Sequence, residues 1–193
     1  MKINKSLPVL VTGATGYIAG WVVKDLLDEG ITVHAPIRDL ANTKKRIHLD
    51  KLAEKSSGEI KYFESDLMIE DSYKEAMKGC ELVIHIASPF VMDSKDPQKE
   101  VIEPALKGTQ NVLKTVNETK SIKRVVLTSS VAAIYGNGID GQSVEGGTFN
   151  ESMWNTTSTS TDGEYSYSKT VAEKEAWRIC EEQKRWDLVV INP

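Results

Sequence analysis

Two periodicities take turns along this chain. Apolar residues run together in short blocks, then recur every three to four positions, then run together again. "LPVLVTG" is an apolar block ending in glycine and reads as a buried strand. Over residues 17–29, Ile18, Val22, Val23, Leu26 and Leu27 fall at helical spacing, and Gly30 suits the helix stop. "ITVHAPIRD" reads as a second strand, in which Pro36 predicts a bulge or an early end. "IKYFESDL" is a weaker third strand, and a helix over roughly 71–78 follows it and stops at Gly79. "ELVIHIAS" is the fourth strand. Asp96 and Pro97 supply a cap and a first-turn proline for a helix running to about residue 118, with a kink at Pro104. "KRVVLTSS" is the fifth strand, and a helix over about 165–184 and the strand "DLVVINP" complete the pattern.

Strands alternating with helices imply right-handed crossovers and an α/β fold built on a parallel sheet. The near-continuous apolar runs of strands one, four and five point to burial on both faces. Residues 136–163 break the rhythm with a Gly-, Ser- and Thr-rich run. A loop of that length inside a compact domain is either functional or a disordered insertion.

The 193 residues suffice for one domain with a sizeable core. Apolar residues make up 40% and charged residues 27%, and the net charge is −4, so nothing draws the chain to nucleic acid or to an anionic membrane. No run reaches the roughly 18 apolar residues of a membrane span. The N-terminal apolar stretch is too short for a signal peptide. Cys80 and Cys180 lack metal-ligand spacing, and two buried thiols in a reducing cytosol are expected. The expected location is cytoplasmic, with no metal.

"VTGATGYIAG" sets Gly13, Gly16 and Ala19-Gly20 between a strand and a helix. Such a turn lets the backbone approach a pyrophosphate and offers it the free N–H groups of the helix start. The end of the second strand bears on which dinucleotide binds. An acidic residue there holds a ribose 2′-OH, whereas a cation suits a 2′-phosphate. Arg38 is placed for the phosphate, with Asp39 beside it and Lys44, Lys45 and Arg46 just beyond; a solvated helix face is the expected role of Lys44 and Arg46. NADP is therefore expected over NAD.

"GEYSYSK" then offers two tyrosines and a lysine. On a helix Tyr165 and Lys169 share a face, whereas Tyr167 and Lys169 do not. Hydride transfer to a carbonyl leaves an alkoxide that needs a proton. A tyrosine supplies it when a nearby ammonium stabilises the phenolate. Thr128, Ser129 and Ser130 end the fifth strand, at the edge of a parallel sheet where ligands bind.

Together "VTGATGYIAGWVV", "VHAPIRD", "ELVIHIASPF", "SKDPQKEVIEPALKGTQNVL", "RVVLTSSVAAIYG", "YSYSKTVAEKEAW" and "VVINP" resemble the extended short-chain dehydrogenase/reductases. Within them the chain is similar to the dihydroflavonol 4-reductase, cinnamoyl-CoA reductase and yeast-type carbonyl reductase branch. The resemblance implies a Rossmann-type doubly wound sheet over residues 1–193 that carries cofactor and catalytic residues together, with 136–163 as an active-site loop. It assigns Ser130 as catalytic serine, Tyr165 as proton donor and Lys169 as its partner, and it gives Tyr165, Lys169 and Pro193 to the cofactor as well, the lysine holding the nicotinamide ribose. It gives Gly13, Thr15, Gly16, Tyr17 and Ile18 to the cofactor, Arg38 and Lys45 to the NADP phosphate, and Asp66 and Leu67 to the adenine. Ala87 and Ser88 fall to the ribose and nicotinamide, and Pro193 follows a strand whose end should face that ring. The implied activity is NADPH-dependent reduction of a ketone or aldehyde to an alcohol. A nucleotide-sugar epimerase retaining NAD and a non-catalytic NADP-sensing regulator are the alternatives. Related reductases continue past this "INP" point into a largely helical segment over the substrate, so a substrate-binding part is expected beyond residue 193. Three departures from family patterns stand out. Ala105 replaces an Asn of sugar-nucleotide members, Ser129-Ser130 replaces the acidic pair of dehydratases, and Tyr135 stands where plant dihydroflavonol reductases have Asn or Asp.

Overall fold

The computed structural model describes residues 3–88 and 94–193; Pro89 and Phe90 of the "ELVIHIASPF" stretch lie outside the described residues. Six strands form one parallel sheet: β1 (Val9–Thr12), β2 (Val33–Ile37), β3 (Ile60–Glu64), β4 (Leu82–His85), β5 (Arg124–Thr128) and β6 (Asp187–Ile191). Their order is β3-β2-β1-β4-β5-β6. The chain therefore winds outward one way from β1 and returns to wind the other way from β4. A crevice opens between the ends of β1 and β4, where the order reverses.

Five helices connect the strands: α1 (Tyr17–Asp28), α2 (Ile47–Ala53), α3 (Lys74–Met77), α4 (Glu103–Glu118) and α5 (Glu164–Glu181). Alternate strand residues feed two cores. Val9, Val11, Val33 and Ala35 pack with Ala19, Val23, Leu27 and Leu49 of α1 and α2. Leu10, Val83, Val125, Leu127 and Leu188 pack with Met77, Val112, Val116, Ala176 and Ile179 of α3, α4 and α5.

Four expectations change, each for a physical reason. The early end at Pro36 is one-sided. Val9 N donates to Thr32 O and Val33 N to Glu59 O, so by alternation position 36 turns its missing N–H toward β1. Pairing with β1 stops at Leu10↔His34, while pairing with β3 continues through Pro36↔Phe63 to Ile37↔Glu64. The helix expected over 71–78 is the short α3, because Asp71 adopts φ 65°, a left-handed conformation that no helix interior accepts. The helix expected from residue 96 opens as a π-turn, Gln98–Ile102, and becomes α-helical at Glu103. Pro104 has no N–H to give Glu100, and the wider turn takes up that defect where a kink was expected. Finally β5 alternates between buried and half-buried, so it is not covered equally on both faces. Its Val125 and Leu127 face α4 and α5, while α1 and α2 sit over β1, β2 and β3.

The last helix ends at Glu181, three residues early, and Cys180 is half-buried whereas Cys80 is fully buried. Residues 136–163 hold two 3-10 turns, Gly138–Ser143 and Glu145–Gly147. Among the described residues no helix is long and apolar enough to cross a membrane.

Candidate active site

A cleft of about 930 Å³ runs along the strand ends at the switch point. Gly13, Thr15, Gly16, Tyr17 and Ile18 line one part of it, Arg38, Asp66 and Leu67 another, and Ala87 and Ser88 a third. Of the residues given to the cofactor, these ten line the cleft, and Tyr165, Lys169 and Pro193 do not. Lys45 ends an exposed 3-10 turn, Thr43–Lys45, and is not among the lining residues.

The glycine turn is built by close approach. Gly13 has φ +69°, and a Cβ on it would meet Ala87 Cα at 3.0 Å. Only glycine lets the β1 loop lie against the end of β4 in that conformation. Gly16 N then donates to Gly13 O at 2.8 Å, and α1 begins. Ala19 is fully buried on the core side of that helix.

At the far end of the cleft Arg38 is exposed and makes no ion pair among the described residues. Asp39 is held locally, one carboxylate oxygen accepting from Ala41 N at 2.9 Å. Arg46 lies 4.5 Å over the Tyr62 ring with a buried Nε, so it packs instead of forming the solvated face expected of it. Asp66 accepts from Met68 N at 2.8 Å. Leu67 is fixed by α4: Asn111 donates to its carbonyl at 2.7 Å, and a Cβ on Gly108 would touch its side chain at 3.2 Å. The buried Tyr73 also lines this end, its phenol pushed up by burial and by Asp66 against the opposing charge of Arg38.

The three residues given to catalysis stand after β5 and on α5, and none of them is among the residues that line the cleft. Ser130 follows β5 and caps the 3-10 turn Val131–Ala133, which packs against α5. Its hydroxyl accepts from Ala132 N at 3.3 Å and donates to Pro193 O at 3.5 Å, so Pro193 sits beside it. Tyr165 and Lys169 stand one turn apart on α5, with Lys169 Nζ 5.6 Å from the centre of the Tyr165 ring. Lys169 is 8% exposed, and its ammonium donates to Ser88 Oγ at 3.0 Å. The helix thus delivers Lys169 to a residue that lines the cleft. Burial pulls Lys169 down to about 8.

Sequence reasoning passed over Tyr73, Thr12 and His85. Tyr73 was hidden by the helix expected to contain it. Thr12 and His85 sit at paired strand ends, and a polar residue closing an apolar strand just before a glycine turn was the available signal. Among the described residues no cluster of His, Cys, Asp and Glu could hold a metal ion.

Strand order and a cleft at the point of reversal define a Rossmann-type α/β protein. The chain belongs to the NAD dependent epimerase/dehydratase family, whose model matches residues 9–193. It is 43% identical to cinnamoyl-CoA reductase CAD2 of Medicago truncatula over 195 residues, covering 96% of this chain and 56% of that protein. It is 40% identical to anthocyanidin reductase of Arabidopsis thaliana over 188 residues, covering 95% and 54%. Among solved structures, Gre2 from Candida albicans in complex with NADPH superimposes with a TM-score of 0.81 at 31% identity, covering 97% and 57%. The chain spans about half the length of the relatives it matches.

Proposed function

We propose that this chain binds NADPH and carries the proton-donating residues of a carbonyl reductase that converts a ketone or aldehyde to an alcohol. The buried Lys169, bonded to Ser88 of the cleft and one helical turn from Tyr165, carries the reading. The reductase relatives support it.

The cleft fits a dinucleotide. A backbone turn that a single Cβ would obstruct offers helix-start N–H groups to a pyrophosphate, and the unpaired Arg38 lies at its rim. Gly13, Thr15, Gly16, Tyr17 and Ile18 would hold the phosphates, Asp66 and Leu67 the adenine side, and Ala87, Ser88 and Lys169 the nicotinamide side. NADPH, when bound, supplies the hydride. Tyr165 gives its phenolic proton to the carbonyl oxygen as negative charge develops there. The Lys169 ammonium stabilises the phenolate left behind. The Ser130 hydroxyl orients the same oxygen, held by the turn it caps.

NADPH depletion screened over ketones, aldehydes and flavonoids tests the activity. Arg38→Ala tests the cofactor: NADPH affinity should fall about tenfold, the worth of one charge-assisted bond at a rim. NADH affinity should barely change. Equal loss for both cofactors would overturn the assignment of Arg38 to a 2′-phosphate.

A further inference from the structure

The ends of β1 and β4 are tied by one hydroxyl whose proton can be counted. Thr12 Oγ1 accepts from Ile86 N and from Ala87 N, each at 3.0 Å, and lies 2.8 Å from His85 Nδ1. A threonine hydroxyl has one proton and two lone pairs. Backbone amides only donate, so both lone pairs are taken. The remaining proton goes to His85 Nδ1, which accepts it. His85 is therefore the neutral imidazole with its proton on Nε2. A proton on Nδ1 would set two donors face to face.

His85 is 2% exposed, so solvent does not relieve that conflict. Burial, and then the charge of Lys169 on α5, hold it down to about 4. Its strand partners are uncharged, with Thr12 beside it on β1. On β5 its partner is Leu127, and the buried positions of α4 include no titratable residue. Glu173, one turn beyond Lys169 on α5, is taken up by Asn192 and Trp177.

We propose that Thr12 is a positioning residue that locks His85 in its neutral form, so that Lys169 is the sole cation in the buried floor beneath Ser88. The proposal rests on the reading of Lys169 as a cofactor-holding group. A protonated His85 would set a second charge beside the ammonium. It would drive Lys169 to shed its proton or leave Ser88, and the grip on the cofactor would loosen. The same hydroxyl draws Ile86 and Ala87 inward, which seats Ala87 against Gly13.

The test begins with nitrogen–proton correlation spectra of the chain's three histidines, the signals lost in His85→Gln identifying the ring. In the parent, His85 should show the Nε2–H form and stay neutral down to pH 5. Thr12→Val removes the hydroxyl and keeps the shape. Its His85 titration should move up by about one pH unit, the worth of one lost hydrogen bond to the neutral form. Thr12→Ser should restore the parental titration. NADPH affinity of Thr12→Val, relative to the parent, should worsen by a further factor of about two between pH 7.5 and pH 5, as the newly titrating fraction charges. An Nδ1–H tautomer in the parent, or a parental titration near pH 6.5, overturns the lock. So does an affinity loss in Thr12→Val that is the same at both pH values. If instead no variant or parent binds NADPH, the cofactor reading fails while the histidine spectra still decide the lock.

Discussion

Lys169 carries its charge inside the protein with Ser88 as a hydrogen-bond partner, and burial disfavours that charge. Its folded value of about 8 lies below the unfolded 10.5, so the folded state sheds this proton first. Below pH 8 the ammonium is present and available to cofactor and phenolate. Above it the group is lost while the fold gains stability. If only the protonated form holds the cofactor, NADPH affinity should be about tenfold weaker at pH 9 than at pH 7, since about one lysine in ten keeps its proton there. A fluorescence titration at both pH values checks this, and Lys169→Met should abolish the dependence. The helical face makes a sharper claim about the tyrosines. Tyr165→Phe keeps the ring and removes only the phenolic proton, so turnover should drop a hundredfold to ten-thousandfold, roughly, with NADPH still bound. Tyr167, two positions from Lys169, points elsewhere on α5, and Tyr167→Phe should leave turnover within a few fold. A larger loss from Tyr167→Phe would reverse the assignment.

The segment of 136–163 is an element with its own internal ties, although its composition reads as a loop. Asp140 Oδ2 accepts from Gly136 N at 2.9 Å, Asn137 N at 3.1 Å and Thr157 Oγ1 at 2.8 Å. Asn155 donates to Ala132 O at 2.9 Å, which fastens the segment to the turn that Ser130 caps. Tyr135 and Phe149 stack with centroids 4.4 Å apart in the wall of a second cavity of about 390 Å³. Gly136 sits where a Cβ would collide with Thr157 Oγ1 and Ser158 Oγ. Gly136→Ala should therefore strain the fastening by about 1–3 kcal/mol. Amide exchange over 136–158 should speed up roughly tenfold or more by that amount, while NADPH affinity should hold. Exchange unchanged from the parent would mean the segment is not held there. This element also marks the limit of what the sequence carried. Strands and long helices were legible because burial on both faces makes continuous apolar runs of the central strands and burial on one face imposes a period of 3.6 on the helices. The glycine turn and the Tyr165–Lys169 face were legible because each rests on local spacing. The α3 boundary turned on one left-handed residue, Asp71, and the opening of α4 on a hydrogen bond that Pro104 cannot make. Thr12 and His85 meet only through strand pairing, across 73 positions of chain, and no local pattern announces that.

At the scale of the whole molecule, the two apolar cores lie on opposite faces of the sheet, and the switch point between β1 and β4 carries polar groups into the interior. His85 is the buried titratable group at the end of β4, and its neutrality links stability to pH. Its folded value of about 4 lies below the ordinary 6.5 of the unfolded chain. Between those values the unfolded state binds more protons than the folded one, so stability falls as pH falls. The contribution is complete above pH 6.5 and is lost progressively toward pH 4. Two and a half pH units correspond to something on the order of 3 kcal/mol. Buried His34, which bonds Ala76 O at 2.6 Å, is pushed the same way by burial and adds to the slope. The two are separated by His85→Asn, in which the amide oxygen still accepts from Thr12 and the side chain never charges. Its absolute stability is expected to differ from the parent, and only the pH dependence is compared. Urea unfolding of both chains at pH 7 and pH 4.5 should show the parent losing about 2–3 kcal/mol more than the variant across that interval. Parallel losses in the two chains would mean that His85 takes up its proton in the folded protein as readily as in the unfolded one, and that the Thr12 hydroxyl does not hold it neutral.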